Sequence, residues 1–384
     1  MKRLVIYGIV MLLIIGILPV TATGVELQVP AGSAVLMDAA TGTVLYEQDA
    51  HKPLPPASVT KVMTMLLVME AIDQGRIGWN DSVTASETAA AKGGSQIYLK
   101  VGETMDVATL LKSVAVSSAN DAACALAEHI AGSEEAFVSM MNQRAKELGM
   151  NDTNFVNCTG LDDEETAKNH RTSAYDIALM SRELLKNHPD IKKYTTIWMD
   201  TVRDGAFGLS NTNKLIRFYP GATGLKTGYT SQAGFCLSAS AERDGMELIA
   251  VVLGCKTSAE RFAACKSMLD HGFASYALID PKPETELTVP VKLGVSRQVT
   301  AVPSVESALL IDKAQINTVN IRTELQDSVD APVSKGQRLG TMTVTSGEQI
   351  LAQIPLVAAE PVNRLSWGDI FLRTLRAVCF GKPE

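Results

Sequence analysis

Residues 55–70 read PPASVTKVMTMLLVME: two prolines, then an apolar run of helical length. Ser58 stands where a helix N-cap is expected, and a capping box would put Glu or Gln three positions on. Lys61 stands there instead. A cation in the first turn faces the positive end of the helix dipole, the wrong sign for stability. At i and i+3 the two side chains share one helix face, within hydrogen-bonding reach. A serine hydroxyl is a poor nucleophile until a base takes its proton. A lysine becomes that base when burial and a positive neighbourhood lower its pKa. The placement that harms the helix therefore suits chemistry, and a local rule broken without local compensation marks a functional site. Alone the SxxK spacing is weak, since a solvated lysine near a serine is common.

Two further stretches change its weight. SSANDA, residues 117–122, sets Ser118 and Asn120 in a helical stretch, and GLKTGYT, residues 224–230, sets Lys226, Thr227 and Gly228 on a strand. SxxK, SxN and KTG in this order form the motif set of penicillin-binding proteins and class A β-lactamases, whose middle member is SDN. Each alone is noise; the ordered set is not.

The rest of the chain frames these motifs. With 384 residues, 46% hydrophobic and 20% charged, it is globular and long enough for two or three domains. Residues 1–24 carry Lys2 and Arg3, an uncharged stretch from Leu4 to Val20, and small residues at the exit. That is the layout of a signal peptide, and Pro19 before the exit favours cleavage over a retained anchor. The remainder is expected outside the cytoplasm. Residues 33–50 predict two short strands around Thr41-Gly42, and residues 58 to about 200 are largely helical. Strands return at 224–254 around the tight-turn pair Asp244-Gly245, and a helix follows at 258–277. The fold class is α+β: an antiparallel sheet whose terminal strands pair, flanked by helices. The Pro-rich break at 280–286 is the expected boundary to a small all-β domain. The expected division is signal peptide 1–24, catalytic domain 25–280, β domain 284–360 and C-terminal segment 361–384.

In that last segment Trp367, Ile370, Phe371, Leu375 and Val378 share one helical face, while Asp369, Arg373 and Arg376 lie opposite. A basic amphipathic helix with aromatic anchors suits a membrane surface. The blander reading is a terminal helix docked on the β domain. A net charge of −7 offers no general attraction to nucleic acid. Without a Gly-rich phosphate loop, HExxH or CxxC, and with five scattered histidines, no nucleotide cofactor or metal is expected. The six cysteines show no framework spacing and read as buried thiols.

With these motifs in place, the chain resembles the low-molecular-mass penicillin-binding proteins that act as serine-type D-alanyl-D-alanine carboxypeptidases, in particular the vegetative and sporulation enzymes of Gram-positive bacteria. The likeness runs from about Gly32 to Ala359 and includes GGSQIYLKVGE, ELGMNDTNFVNCTGLD, SAYDIALMSRELL and GYTSQAGFCLSASA. It implies a β-lactamase/transpeptidase-like fold, a peptidoglycan stem peptide ending in D-Ala-D-Ala as substrate, and β-lactams as covalent inhibitors. It also implies roles. Ser58 is the nucleophile and Lys61 the base; Ser118 relays a proton; Asn120 bonds the substrate amide and Lys61. Lys226 and Thr227 bind the terminal carboxylate, assisted by Arg261, and Gly228 lets substrate backbone approach the strand. The backbone N–H groups of Ser58 and Tyr229 form the oxyanion hole. Tyr229 stands where certain relatives have His. His170 and Asp176 are expected to be structural. Two rivals share these motifs: a β-lactamase, for which no ExxLN-like stretch is present, and a catalytically idle wall-associated scaffold.

Overall fold

The computed structural model describes residues 27–162, 165–283, 285–304 and 308–380. The signal segment lies outside them. Strands β1 (Ser33–Asp38) and β2 (Val44–Gln48) form a hairpin around Gly42, whose φ of 76° suits only glycine without strain. The helical middle contains α1 (Lys61–Asp73), α2 (Val107–Ser117), α3 (Asn120–Ala131), α4 (Glu134–Glu147) and α5 (Ala174–Asn187). Then come β3 (Ala222–Thr230), β4 (Gly234–Arg243), β5 (Met246–Cys255) and α6 (Ser258–Ser275). Asp244 and Gly245 both have positive φ, as a type I′ turn requires.

The sheet is antiparallel in the order β2-β1-β5-β4-β3, so the first strand pairs with the last, Val35 opposite Val251. Side chains alternate across a strand, and here both faces are buried. Val35, Met37, Ile249 and Val251 face the helical core; Ala34, Leu36, Leu248 and Val252 face α6. Helix α1 is buried nearly all round, from Lys61 to Met69, which places it at the centre of the helical layer. The KTG strand β3 ends the sheet and leaves one edge open.

The expected N-cap at Ser58 is corrected. Residues Ala57–Thr60 form a 3₁₀ turn, and α1 begins only at Lys61, with no side-chain cap on its Thr60 N-cap. The Ser58 hydroxyl is thereby spared from capping.

Beyond α6, strands β6 (Leu287–Lys292), β7 (Gln298–Pro303), β8 (Val319–Leu325), β9 (Val329–Asp330), β10 (Arg338–Ser346) and β11 (Gln349–Ala358) form a six-stranded sheet with its own core. Helix α7 (Trp367–Phe380) is the last described element. Trp367, Phe371, Leu372, Leu375 and Val378 on it are exposed, Trp367 by 87%. Its Arg373 donates to the carbonyl of Val295 at 2.7 Å. Among the described residues no helix is long and apolar enough to cross a membrane.

Candidate active site

The 3₁₀ turn before α1 is held from three sides. Ala57 has a φ of +48°, strained for a residue with a Cβ. A Cβ on Gly160 would lie 1.9 Å from the Ala57 carbonyl oxygen, so that close approach admits only glycine. The Thr60 hydroxyl donates to the same oxygen at 2.8 Å and lies 2.7 Å from His170 Nε2. Because His170 Nδ1 accepts the N–H of Val156, Nε2 carries the ring proton and donates to Thr60. Burial, with Arg171 and Lys61 adding positive field, lowers the His170 pKa to about 4 and keeps the ring neutral. His170 thus braces the turn. Asp176 accepts from the Thr153 hydroxyl and the Asp152 N–H.

Lys61 is fully buried, and its Nζ donates to Ser58 Oγ at 2.9 Å and to the Thr159 carbonyl at 2.7 Å. Burial lowers its pKa to about 7, with Cys158 and Asp121 pulling the other way. Half of such amines are uncharged at neutral pH, which a proton acceptor requires. A second buried amine, Lys226, donates to the Thr227 carbonyl at 2.9 Å. Burial drives its pKa well down, and repulsion from Lys61 and Arg261 adds to that.

The three motifs converge through backbone as much as side chains. Ser118 caps α2 in the left-handed region at φ 66°, almost buried, and its hydroxyl has no partner among the described residues. Two residues earlier, the Val116 carbonyl accepts the N–H of Thr212, whose hydroxyl accepts from Thr227 at 2.7 Å. Asn120 starts α3; its Nδ2 donates to the Gly93 carbonyl at 2.7 Å, and its buried Oδ1 is unpartnered. Gly228 abuts the nucleophile turn. Tyr229 is 57% exposed and stacks on Phe235 at 4.3 Å.

One expected contact differs, and two residues make further contacts within the protein. Asn120 does not bond Lys61, whose donors go to Ser58 and Thr159. Gly228 makes room for the protein's own Pro56–Ser58 backbone, since a Cβ there would lie 2.6 Å from the Pro56 oxygen. Arg261, 8% exposed, turns Nη1 to the carbonyls of Gly228 at 2.9 Å and Cys236 at 3.4 Å, while its Cζ lies near the rings of Phe235 and Phe262. Thr159, Gly160 and Thr212 were not identified from the sequence. Only the glycine in CTGLD carried a signal, that of a backbone position needing positive φ.

The chain has recognisable relatives among known proteins. Residues 20–257 match the family described as D-alanyl-D-alanine carboxypeptidase, peptidase S11. The chain belongs to that family. Residues 281–364 match the C-terminal domain of penicillin-binding protein 5. The chain is 44% identical to the D-alanyl-D-alanine carboxypeptidase DacF of Bacillus subtilis over 356 residues, 91% of this chain and 90% of that one. Penicillin-binding protein 5 from Haemophilus influenzae superposes with a TM-score of 0.75 at 32% identity, covering 88% of this chain and 98% of its own. Penicillin-binding protein D2 from Listeria monocytogenes, in an ampicillin-bound form, superposes at 0.59 with 34% identity, covering 65% of this chain and 99% of its own. As an S11 carboxypeptidase the chain is a serine-type hydrolase, and its mixed α+β fold with a C-terminal β domain is that of the Haemophilus influenzae protein.

Proposed function

We propose that the protein removes the terminal D-alanine of peptidoglycan stem peptides through an acyl-enzyme on Ser58, and that β-lactams acylate the same oxygen. The observation that carries this reading is the Lys61 amine, buried, lowered to about 7 and donating to Ser58 Oγ. In the reactive state the amine is neutral and the hydrogen bond reverses: Ser58 gives its proton to Lys61 as Oγ attacks the carbonyl of the penultimate D-Ala. The oxyanion is received by the backbone N–H groups of Ser58 and Tyr229. The C–N bond breaks as a proton reaches the leaving amine of D-Ala, passed by the unpartnered Ser118 hydroxyl. Lys226 and Thr227 bind the terminal carboxylate, the substrate adding as a strand along the open edge of β3. The free Oδ1 of Asn120 is an acceptor for a substrate amide N–H. Water then hydrolyses the ester.

The resemblance and the sequence layout further support export by residues 1–24, a catalytic unit to about 280, a β domain over 284–360, and a surface anchor in 361–384. The exposed apolar residues of α7 support membrane attachment.

Intact mass against time with benzylpenicillin tests the core of this reading, beside Ser58→Ala. A slowly decaying adduct that needs Ser58, with D-Ala release from a pentapeptide, is expected. Rapid antibiotic turnover would make the protein a β-lactamase, and no adduct would remove the nucleophile from Ser58.

A further inference from the structure

Glu134 belongs to none of the three motifs, yet hydrogen bonds lead from its carboxylate to two of them. It is the first residue of α4, behind the Ser133 N-cap. A carboxylate there suits the helix dipole, which alone would explain a solvated glutamate. This one is turned inward. Oε1 accepts the backbone N–H of Cys158 at 3.1 Å and its thiol at 3.2 Å. The next residue, Thr159, presents the carbonyl that holds Lys61. The Cys158 carbonyl in turn accepts from Thr64, one turn along α1 from Lys61. Oε2 takes Lys92 Nζ at 2.5 Å, with the Cys124 thiol at 3.9 Å. The residue after Lys92 is Gly93, whose carbonyl holds the Asn120 amide.

We infer that Glu134 is a positioning residue for acylation, one carboxylate fixing both the loop that holds Lys61 and the loop that holds Asn120. The inference rests on the roles proposed above for those two residues. Burial pushes the carboxyl up, but Lys92 and Cys158 outweigh it and hold it ionised. Both oxygens are engaged, so the geometry of each arm is defined; removing the carboxylate leaves Lys92 an uncompensated, largely buried charge. The titratable groups facing Glu134 are Lys92, Cys124 and Cys158; Cys158 and Asp121 act on Lys61, which also repels Lys226 and adds to the field at His170.

The test uses the full chain with Glu134→Gln, Glu134→Ala and, as control, Glu135→Gln, whose site is solvent-exposed. Acylation by benzylpenicillin is followed by intact mass across the neutral pH range, recording rate constant, amplitude and melting temperature. Glu134→Gln keeps an acceptor for the Cys158 N–H but loses the partner of Lys92, and is expected to slow acylation about 10-fold. Glu134→Ala frees both loops and is expected to slow it about 100-fold, with a displaced pH midpoint and full amplitude, the scale of a reacting group misplaced by about 1 Å. Reduced amplitude at an unchanged rate constant and midpoint would mean that Glu134 only stabilises the fold, and the inference would be wrong. If Glu134→Ala does not fold, a wild-type rate constant and midpoint in Glu134→Gln overturns it. Lys61→Met is run alongside. Undiminished acylation in that variant would sink the reading of the site and this inference with it. An inert Lys61→Met beside normal Glu134 variants would sink the inference alone.

Discussion

Gly228 and Ser58 lie so close that no side chain fits between them: a Cβ on Gly228 would sit 3.1 Å from the Ser58 backbone nitrogen. The same atom would meet the Pro56 oxygen at 2.6 Å and the Ala57 Cβ at 3.1 Å. The conflict is with backbone, which cannot swing aside as a side-chain tip would. Gly228→Ala must therefore part β3 from the nucleophile turn, separating the two proposed oxyanion donors. Overpacking of this kind costs about 1–3 kcal/mol of stability. A missing oxyanion donor costs about 100-fold or more in rate. Melting temperature and acylation rate, measured together, are expected to show a modest fall in the first and a large fall in the second. A variant that acylates at the wild-type rate would show that this contact has no part in catalysis.

The Lys61 amine gives the acylation rate a pH dependence of definite sign. Only the neutral amine accepts a proton, so the rate should rise with pH and reach half its plateau near the Lys61 value of about 7. Stability follows the same group. The unfolded chain holds the Lys61 proton up to the ordinary lysine range, while the folded chain releases it above about 7. Between those values the unfolded state binds more protons, so stability rises with pH. Lys61→Met removes this contribution. Its melting temperature relative to wild type should be more favourable at pH 6 than at pH 8, and a pH-independent difference would contradict the lowered pKa. His170, already neutral above about 4, should leave the rate midpoint in place when changed to Gln.

What the sequence made legible follows from where each signal is stored. The hairpins at Thr41-Gly42 and Asp244-Gly245 were readable because the turn chemistry is local. The pairing of β1 with β5 followed from two apolar runs that need a common sheet. Ser58 and Lys61, one turn apart, could be read as partners from spacing alone. The Thr159 carbonyl that holds Lys61 could not, because it lies 98 residues away and main-chain oxygens leave no trace in residue identity. The same applies to the Gly93 carbonyl at Asn120. The sequence places Ser58 at an N-cap because the backbone approaches of Gly160 and Gly228 to its 3₁₀ turn come from positions remote in sequence. Arg261 was readable as belonging to the site, but not as bonding the strand's carbonyls.

Arg261 separates two modes of action by choice of substrate. If its guanidinium held the substrate carboxylate, its loss would harm only substrates that carry one. Its bonds to the Gly228 carbonyl of β3 and the Cys236 carbonyl of β4 point instead to a brace across these two strands. Lysine cannot reproduce the planar fork or its cation–π contacts with Phe235 and Phe262. Arg261→Lys should therefore slow acylation by an acyl-D-Ala-D-Ala peptide and by its carboxamide analogue by the same factor, about 10-fold, as expected of a displaced site element. A loss confined to the free carboxylate would return Arg261 to direct recognition.

Helix α7 offers the last prediction. Its exposed Trp367, Phe371, Leu375 and Val378 form one apolar face, and among the described residues the only polar ties from its charged face to the β domain are those of Arg373 to the carbonyls of Gly294 and Val295. An apolar stripe of this size left in water is unfavourable by about 25 cal/mol for each Å² that a lipid surface would cover. Arg376 adds attraction to anionic headgroups, which salt screens. The protein should sediment with phosphatidylglycerol-containing vesicles, less so at high salt, and residues 25–360 should stay in the supernatant with undiminished acylation by benzylpenicillin. Trp367→Ser with Phe371→Ser should behave like the truncation, since it removes aromatic anchors without touching the charges. Equal sedimentation of full-length and truncated protein would assign the stripe to a protein contact instead, and the β domain would then have to carry any lipid binding itself.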